Sequence, residues 1–166
     1  MHKSAFVKDL VEEAGGAIVV AHPYRRVYRE TAPQDETSYA EMLERGLRNE
    51  VFDIVDAIEI RNGRGTVKEN EFAENLAKKL NMPKTGASDA HKLADIGTYA
   101  TEFYDKITGL GDLIKSIKSG RYDAKELEYR PPEKWLPEFR YQQIKWFLFS
   151  QPCLLYTSDA ADDLTR

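Results

Sequence analysis

The residues best suited to chemistry lie in Pro83 to His91, Pro-Lys-Thr-Gly-Ala-Ser-Asp-Ala-His, where Asp89 and His91 stand two positions apart at the end of a small-residue strand. In extended backbone such a pair points to one side of the chain, so a carboxylate and an imidazole would offer a two-ligand bite on a cation. A second histidine, His22, closes the apolar run Ala17-Ile-Val-Val-Ala21. Neutral imidazole and carboxylate together suit zinc, manganese or iron. Strand ends that converge at the carboxyl edge of an α/β sheet or barrel would bring His22, Asp89 and His91 to one ion. Glu59 and Asn62, at the end of a further strand, reach the same rim and are candidates to support those ligands; a buried carboxylate paired with a neighbouring base would leave the same trace. Arg25 and Arg26, just past His22, are candidate phosphate contacts through charge-assisted hydrogen bonds. The alternative for both is a solvated loop. His2 has no partner at a useful spacing, and a disordered terminus is its expected state.

Other chemistries find less support. Gly63-Arg64-Gly65 lacks the spacing and the lysine of a phosphate-cradling nucleotide loop, and no nucleophile elbow is present. The 166-residue chain, 42% apolar and 31% charged, has the composition of one globular domain. A net charge of −4 provides no general field for nucleic acid, although Arg25, Arg26 and Arg29 form a local patch that keeps the question open. No secretory or lipidation signal is found, and no apolar run approaches the roughly 20 residues that span a bilayer. The expectation is a cytoplasmic protein without membrane contact.

Positioning the candidate residues requires alternating helices and strands. The first helix is predicted from Ser4 as N-cap through Phe6, Val7, Leu10, Val11 and Ala14 to the Gly15-Gly16 stop. A strand over Ala17–Ala21 ends at His22-Pro23, because the residue before proline is pushed to extended geometry. Tyr24 to Thr37 reads as a long loop, a second helix starts from a Ser38/Glu41 capping box, and Val55–Ile60 forms the next strand. Phe72, Ala73, Leu76, Ala77 and Leu80 mark a third helix, followed by strands at Thr85–Ser88 and Thr98–Phe103. A last helix runs from Asp112 as cap to Gly120. The fold class is α/β, with about four parallel strands and flanking helices joined by right-handed crossovers. A boundary is drawn after residue 121, followed by an extension over 122–152 with an aromatic helix at Phe139–Phe149. The lone cysteine, Cys153, excludes an internal disulfide. Cys153 to Asp162 reads like the translation of a transposase adaptor used in sequencing libraries, so residues 153–166 are expected to be a non-native tail. Without Asp159, Asp162, Asp163 and Arg166 the net charge moves from −4 to −2.

Taken together, Gly-Gly-Ala-Ile-Val-Val-Ala-His22-Pro-Tyr-Arg, Val-Asp-Ala-Ile-Glu59-Ile-Arg-Asn62-Gly and Gly-Ala-Ser-Asp89-Ala-His91, followed by Ile96-Gly97 and Thr101-Glu-Phe103, resemble the carboxyl-terminal half of the PHP (polymerase and histidinol phosphatase) family. The resemblance spans about Val7 to Tyr122. It implies part of a distorted seven-unit (β/α) barrel with divalent metal ions (Mn, Zn, Fe or Mg) at the strand ends, and hydrolysis of phosphate esters. It matches His22 to a late histidine ligand of the family, and Asp89 and His91 to the final Asp-x-His pair. The family's opening His-x-His element and its middle histidine and glutamate ligands have no counterpart here. The expectation is therefore a fragment of a metal-dependent phosphoesterase, weakly active or inactive alone, acting on a phosphorylated small molecule or nucleotide. The alternative is a non-catalytic, polymerase-associated or self-associating PHP-like module that pairs through an exposed barrel edge. An amidohydrolase-like barrel fragment would share the metal chemistry but act on carbon.

Overall fold

A computed structural model describes residues 3–92 and 95–127. His2, the predicted aromatic helix at Phe139–Phe149 and the predicted tail from Cys153 lie outside the described residues. The order is α1 (Lys3–Glu13), β1 (Val19–Val20), α2 (Arg25–Glu30), α3 (Glu36–Leu47), a 3-10 turn (Glu50–Asp53), β2 (Ala57–Asn62), α4 (Val67–Leu80), β3 (Lys84–Ala87), β4 (Tyr99–Phe103), α5 (Leu110–Ser119) and β5 (Tyr122–Glu126). No helix among the described residues is long and apolar enough to cross a membrane.

The chain is mixed α/β. Strands β1, β2 and β3 form a parallel sheet in that order, with Val19 opposite Ala57 and Ile58 opposite Lys84. Central β2 is buried on both faces from Ala57 to Ile60, as a parallel strand covered by helices must be. The fourth predicted strand departs from expectation. It does not extend the parallel sheet, because β4 pairs antiparallel with β5, Tyr99 opposite Glu126 and Phe103 opposite Tyr122. This ladder runs across the boundary drawn after residue 121.

The ribbon reaches β3 through Thr101, whose hydroxyl accepts from Gly86 N (3.1 Å) and donates to Gly86 O (2.9 Å). Glycine is required there, since a Cβ on residue 86 would stand 2.9 Å from Ala100 O.

The core is aromatic. Phe72 of α4 is fully buried, with Tyr24, Tyr28 and Tyr39 around it at ring separations of 5.6–5.8 Å. Leu76, Ile58 and Leu43 complete it.

Four helix starts differ from the sequence reading. Within the predicted loop Tyr24–Thr37, residues 25–30 form a helix; Tyr24 is buried, Val27 and Tyr28 pack on the core, and that spacing keeps one face inward. Helix α3 is capped one turn early, by Asp35, which accepts from Ser38 N (2.8 Å) while the Ser38 hydroxyl returns to Asp35 N. Ser4 already lies inside α1, and Asp112 inside the first turn of α5, whose N-cap is Gly109. The reciprocal cap that opens α4 is Thr66 with Glu69.

Candidate functional site: a hydrogen-bonded rim at the parallel strand ends

Three strand ends deliver polar groups to one place. After β1 the chain turns sharply at His22, which has φ of +30°, and at Tyr24, with φ of +63°. The extended geometry expected before Pro23 is thus not adopted; His22 is left-handed and buried. Non-glycine residues in this region cost of order 1–3 kcal/mol each and persist only where surrounding structure holds them. The holding group is Glu59, whose Oε2 accepts from His22 N (3.0 Å).

Strand β2 brings Glu59 and Asn62 together by an irregularity in its pairing. Glu59 stands opposite Thr85 but Arg61 opposite Gly86, so the register shifts between them. Residues three apart on a regular strand face opposite sides. With the extra residue absorbed, Asn62 Nδ2 donates to Glu59 Oε1 at 2.9 Å. Asn62 Oδ1 in turn accepts from Arg25 Nη1 (3.0 Å) and from Arg64 N (3.0 Å). The same Arg25 nitrogen donates to Asp89 Oδ2 at 2.6 Å. One continuous network therefore runs from His22 through Glu59, Asn62 and Arg25 to Asp89.

Asp89, beyond the end of β3, also has positive φ, +48°. The extended Asp-x-His bite is not formed: the strand stops at Ala87, and the alternation that would align residues 89 and 91 no longer applies. The His91 side chain is half exposed, its Nδ1 lying 2.9 Å from Asp89 O and 3.8 Å from Asp89 Oδ1. Its backbone N donates to Asp95. Arg26 is on the exposed face of α2, where Nε meets Glu30 at 2.8 Å. Arg29 reaches buried Glu69 at 2.5 Å and donates to Arg64 O.

The electrostatics follow from this layout. Burial pushes the Glu59 carboxyl up to about 7, and the nearby Asp89 charge adds to the rise; the Asn62 amide, the His22 N–H and Arg25 oppose it. Asp89 moves the other way. Its partial burial would raise it, but hydrogen bonding and charge from Arg25, with help from Asn62 and His22, hold it below the ordinary aspartate value. Two neighbouring carboxyls are thus driven apart in acidity, Glu59 toward the neutral acid and Asp89 toward the anion.

The donor types fit a divalent cation, since imidazole nitrogen and carboxylate oxygen are suitable ligands. In this structure an internal cation, Arg25, lies against the Asp89 carboxylate. Arg25 occupies Asp89 Oδ2, and among the described residues no group of three His, Cys, Asp or Glu side chains is assembled to hold a metal ion. His22 and Asp89 share the network, while His91 contacts it at its outer edge.

The features that sequence reasoning missed are the Arg25 link between Asn62 and Asp89 and the Arg64 turn beneath it. The Asn62 and Arg25 types were visible, but the register shift that brings Asn62 to Glu59 has no sequence signature.

A parallel sheet whose carboxyl ends carry a convergent polar network is the arrangement in which α/β proteins build ligand sites. Residues 67–122, from α4 into the first residue of β5, match the family model described as PHP-associated, which is consistent with a PHP-family C-terminal region. No curated protein and no solved structure matches the chain.

Proposed function

We propose that the chain contributes the C-terminal rim of a PHP-type metal-dependent phosphoesterase, with His22, Asp89 and His91 as its ligands to a divalent ion (Mn, Zn, Fe or Mg). The observation that carries this reading is the convergence of the ends of β1, β2 and β3 on the network from His22 to Asp89. The PHP-associated match over residues 67–122 supports it from the sequence side. A divalent ion bound there supplies a more acidic water and neutralises charge on a phosphoryl group. The chain's own residues do the rest: Glu59 fixes the His22 turn, Asn62 aligns Glu59 with Arg25, and Arg25 keeps Asp89 ionised and aimed at the rim. A phosphorylated small molecule or nucleotide is the ligand class.

Calorimetric titration of the full chain with Mn²⁺ or Zn²⁺ tests it. Weak binding is expected, lost in both His22→Gln and Asp89→Asn. Binding indifferent to both substitutions, or none in the wild type, would count against the reading. A p-nitrophenyl phosphate assay run alongside measures turnover.

One observation favours a second reading, a self-associating module. Strand β1 is an edge of the parallel sheet among the described residues, and Val19 is partly exposed there. The apolar Phe6, Val7 and Leu10 of α1 are exposed too. Light scattering separates the two: a monomer with metal-dependent turnover favours the enzyme, an oligomer without turnover the module.

A further inference from the structure

The rim carries one arginine whose charge the described residues do not match. Three of its neighbours are committed: Arg25 to Asp89 at 2.6 Å, Arg26 to Glu30 at 2.8 Å and Arg29 to Glu69 at 2.5 Å. Arg64 is exposed, and no group among the described residues pairs with its guanidinium.

Its backbone, in contrast, is fixed at every point. Gly63 N donates to Ala87 O (3.0 Å), Arg64 N to Asn62 Oδ1 (3.0 Å), Gly65 N to Asn62 O (3.0 Å) and Thr66 N to Glu69 Oε2 (2.7 Å). Arg64 O accepts from Arg29 Nη2 at 3.1 Å. The turn is also pressed against the end of β3, since a Cβ on Gly63 would lie 2.4 Å from Ser88 O, one residue before Asp89. The oxygen that holds Arg64 N also holds the Arg25 nitrogen bound to Asp89. A cation unmatched among the described residues is thereby carried on a turn whose backbone shares the Asn62 Oδ1 acceptor with the arginine bound to Asp89. A fixed mount reduces the entropy lost when the side chain engages a ligand. The planar guanidinium is well suited to two oxygens of a phosphate.

We propose that Arg64 is the residue that receives the phosphate group of a phosphomonoester at this rim, taking the role that position alone would give to Arg25 or Arg26. This rests on the reading of the rim as a site for phosphorylated ligands.

The test is a titration of the ¹⁵N-labelled full chain with inorganic phosphate, and separately with phenyl phosphate, at constant ionic strength, following the arginine Nε–H resonances. The wild type is expected to show a saturable shift at Arg64 with both probes, and a tighter midpoint for phenyl phosphate identifies the ester as the preferred source. Arg64→Gln should weaken the midpoint at least about tenfold, the loss of one charge-assisted contact. Arg64→Lys should recover part of that loss, because the charge returns without the fork. The backbone spectrum of each variant reports whether the turn is intact. Absence of a saturable shift in the wild type overturns the proposal. So does a loss carried by Arg26→Gln or Lys92→Gln while Arg64→Gln binds normally. Failure of metal to bind would sink the phosphoesterase reading and leave the phosphate result standing; normal phosphate binding by Arg64→Gln would do the reverse.

Discussion

Glu59 makes the stability of this protein depend on pH in a direction opposite to that of most carboxylates. It is buried, and its pKa is pushed from 4.5 up to about 7. Below pH 4.5 the acid is protonated in the folded and unfolded chain alike. Between 4.5 and 7 the unfolded chain releases the proton while the folded chain keeps it, so stability falls as pH rises. Above 7 both states are ionised and the loss is complete. The linkage relation gives a decrease of roughly 2–3 kcal/mol between pH 5 and pH 8. The carboxylates with lowered pKa, Asp89, Glu69 and Glu74 among them, contribute stability that is lost only as pH falls below the ordinary carboxylate range, outside this window. The raised tyrosines Tyr28 and Tyr122 titrate far above it.

The assay is urea unfolding followed by far-ultraviolet circular dichroism at half-unit steps from pH 5 to pH 8. The control is Glu59→Gln, whose neutral amide has the shape of the protonated acid and the same mismatch, one acceptor oxygen facing two donors, His22 N and Asn62 Nδ2. It should lack the Glu59 slope, resemble the wild type at pH 5, and be the more stable of the two at pH 8. A wild-type unfolding free energy that is flat across the window would refute the reasoning. An unchanged slope in Glu59→Gln would do so as well, because the titrating group would then lie elsewhere.

Two further predictions concern how the rim is held. Gly63→Ala should destabilise by at least about 2 kcal/mol in urea unfolding, because its Cβ meets backbone at Ser88 that cannot rotate away. Thr101→Val keeps the shape but strips the hydroxyl that satisfies both polar atoms of buried Gly86, and should cost about 1–3 kcal/mol with faster hydrogen exchange at Gly86 N.

Sequence pattern made the parallel sheet legible because its first two strands hold short apolar runs and its third is a small-residue run just after Pro83, with helices of clear periodicity between them. It read β4 correctly as a strand and misjudged its pairing. Nothing in Tyr99–Phe103 specifies a parallel neighbour, and its partner, Tyr-Asp-Ala-Lys-Glu at 122–126, is too polar to stand out as a strand. Helix α2 was hidden by the charge of Arg25, Arg26, Arg29 and Glu30; Tyr24, Val27 and Tyr28 supply only a single turn of apolar spacing. At the rim, residue types named strand ends that the fold brings together. What they could not convey was backbone geometry. The left-handed turns at His22 and Asp89 break the assumptions, extended before proline and alternating along a strand, on which the expected bite depended.

The raised Glu59 carboxyl and the Arg25 bridge have a common physical basis. Two carboxyls brought close in a partly dry site cannot both stay ionised without a cation, and the chain answers in two ways at once. Glu59 moves toward its neutral form, and Arg25 settles on Asp89. Asn62 lets both solutions coexist, since its amide has a donor for Glu59 and an acceptor for Arg25 in one side chain. Replacing it with aspartate would remove the donor and add a third negative charge, and leucine would leave Arg25 and Arg64 N without their shared acceptor. The amide is thus the one side-chain chemistry of that size that satisfies every neighbour. Its position depends on the register shift in β2, so a single irregularity in one parallel strand decides which groups face one another at the rim.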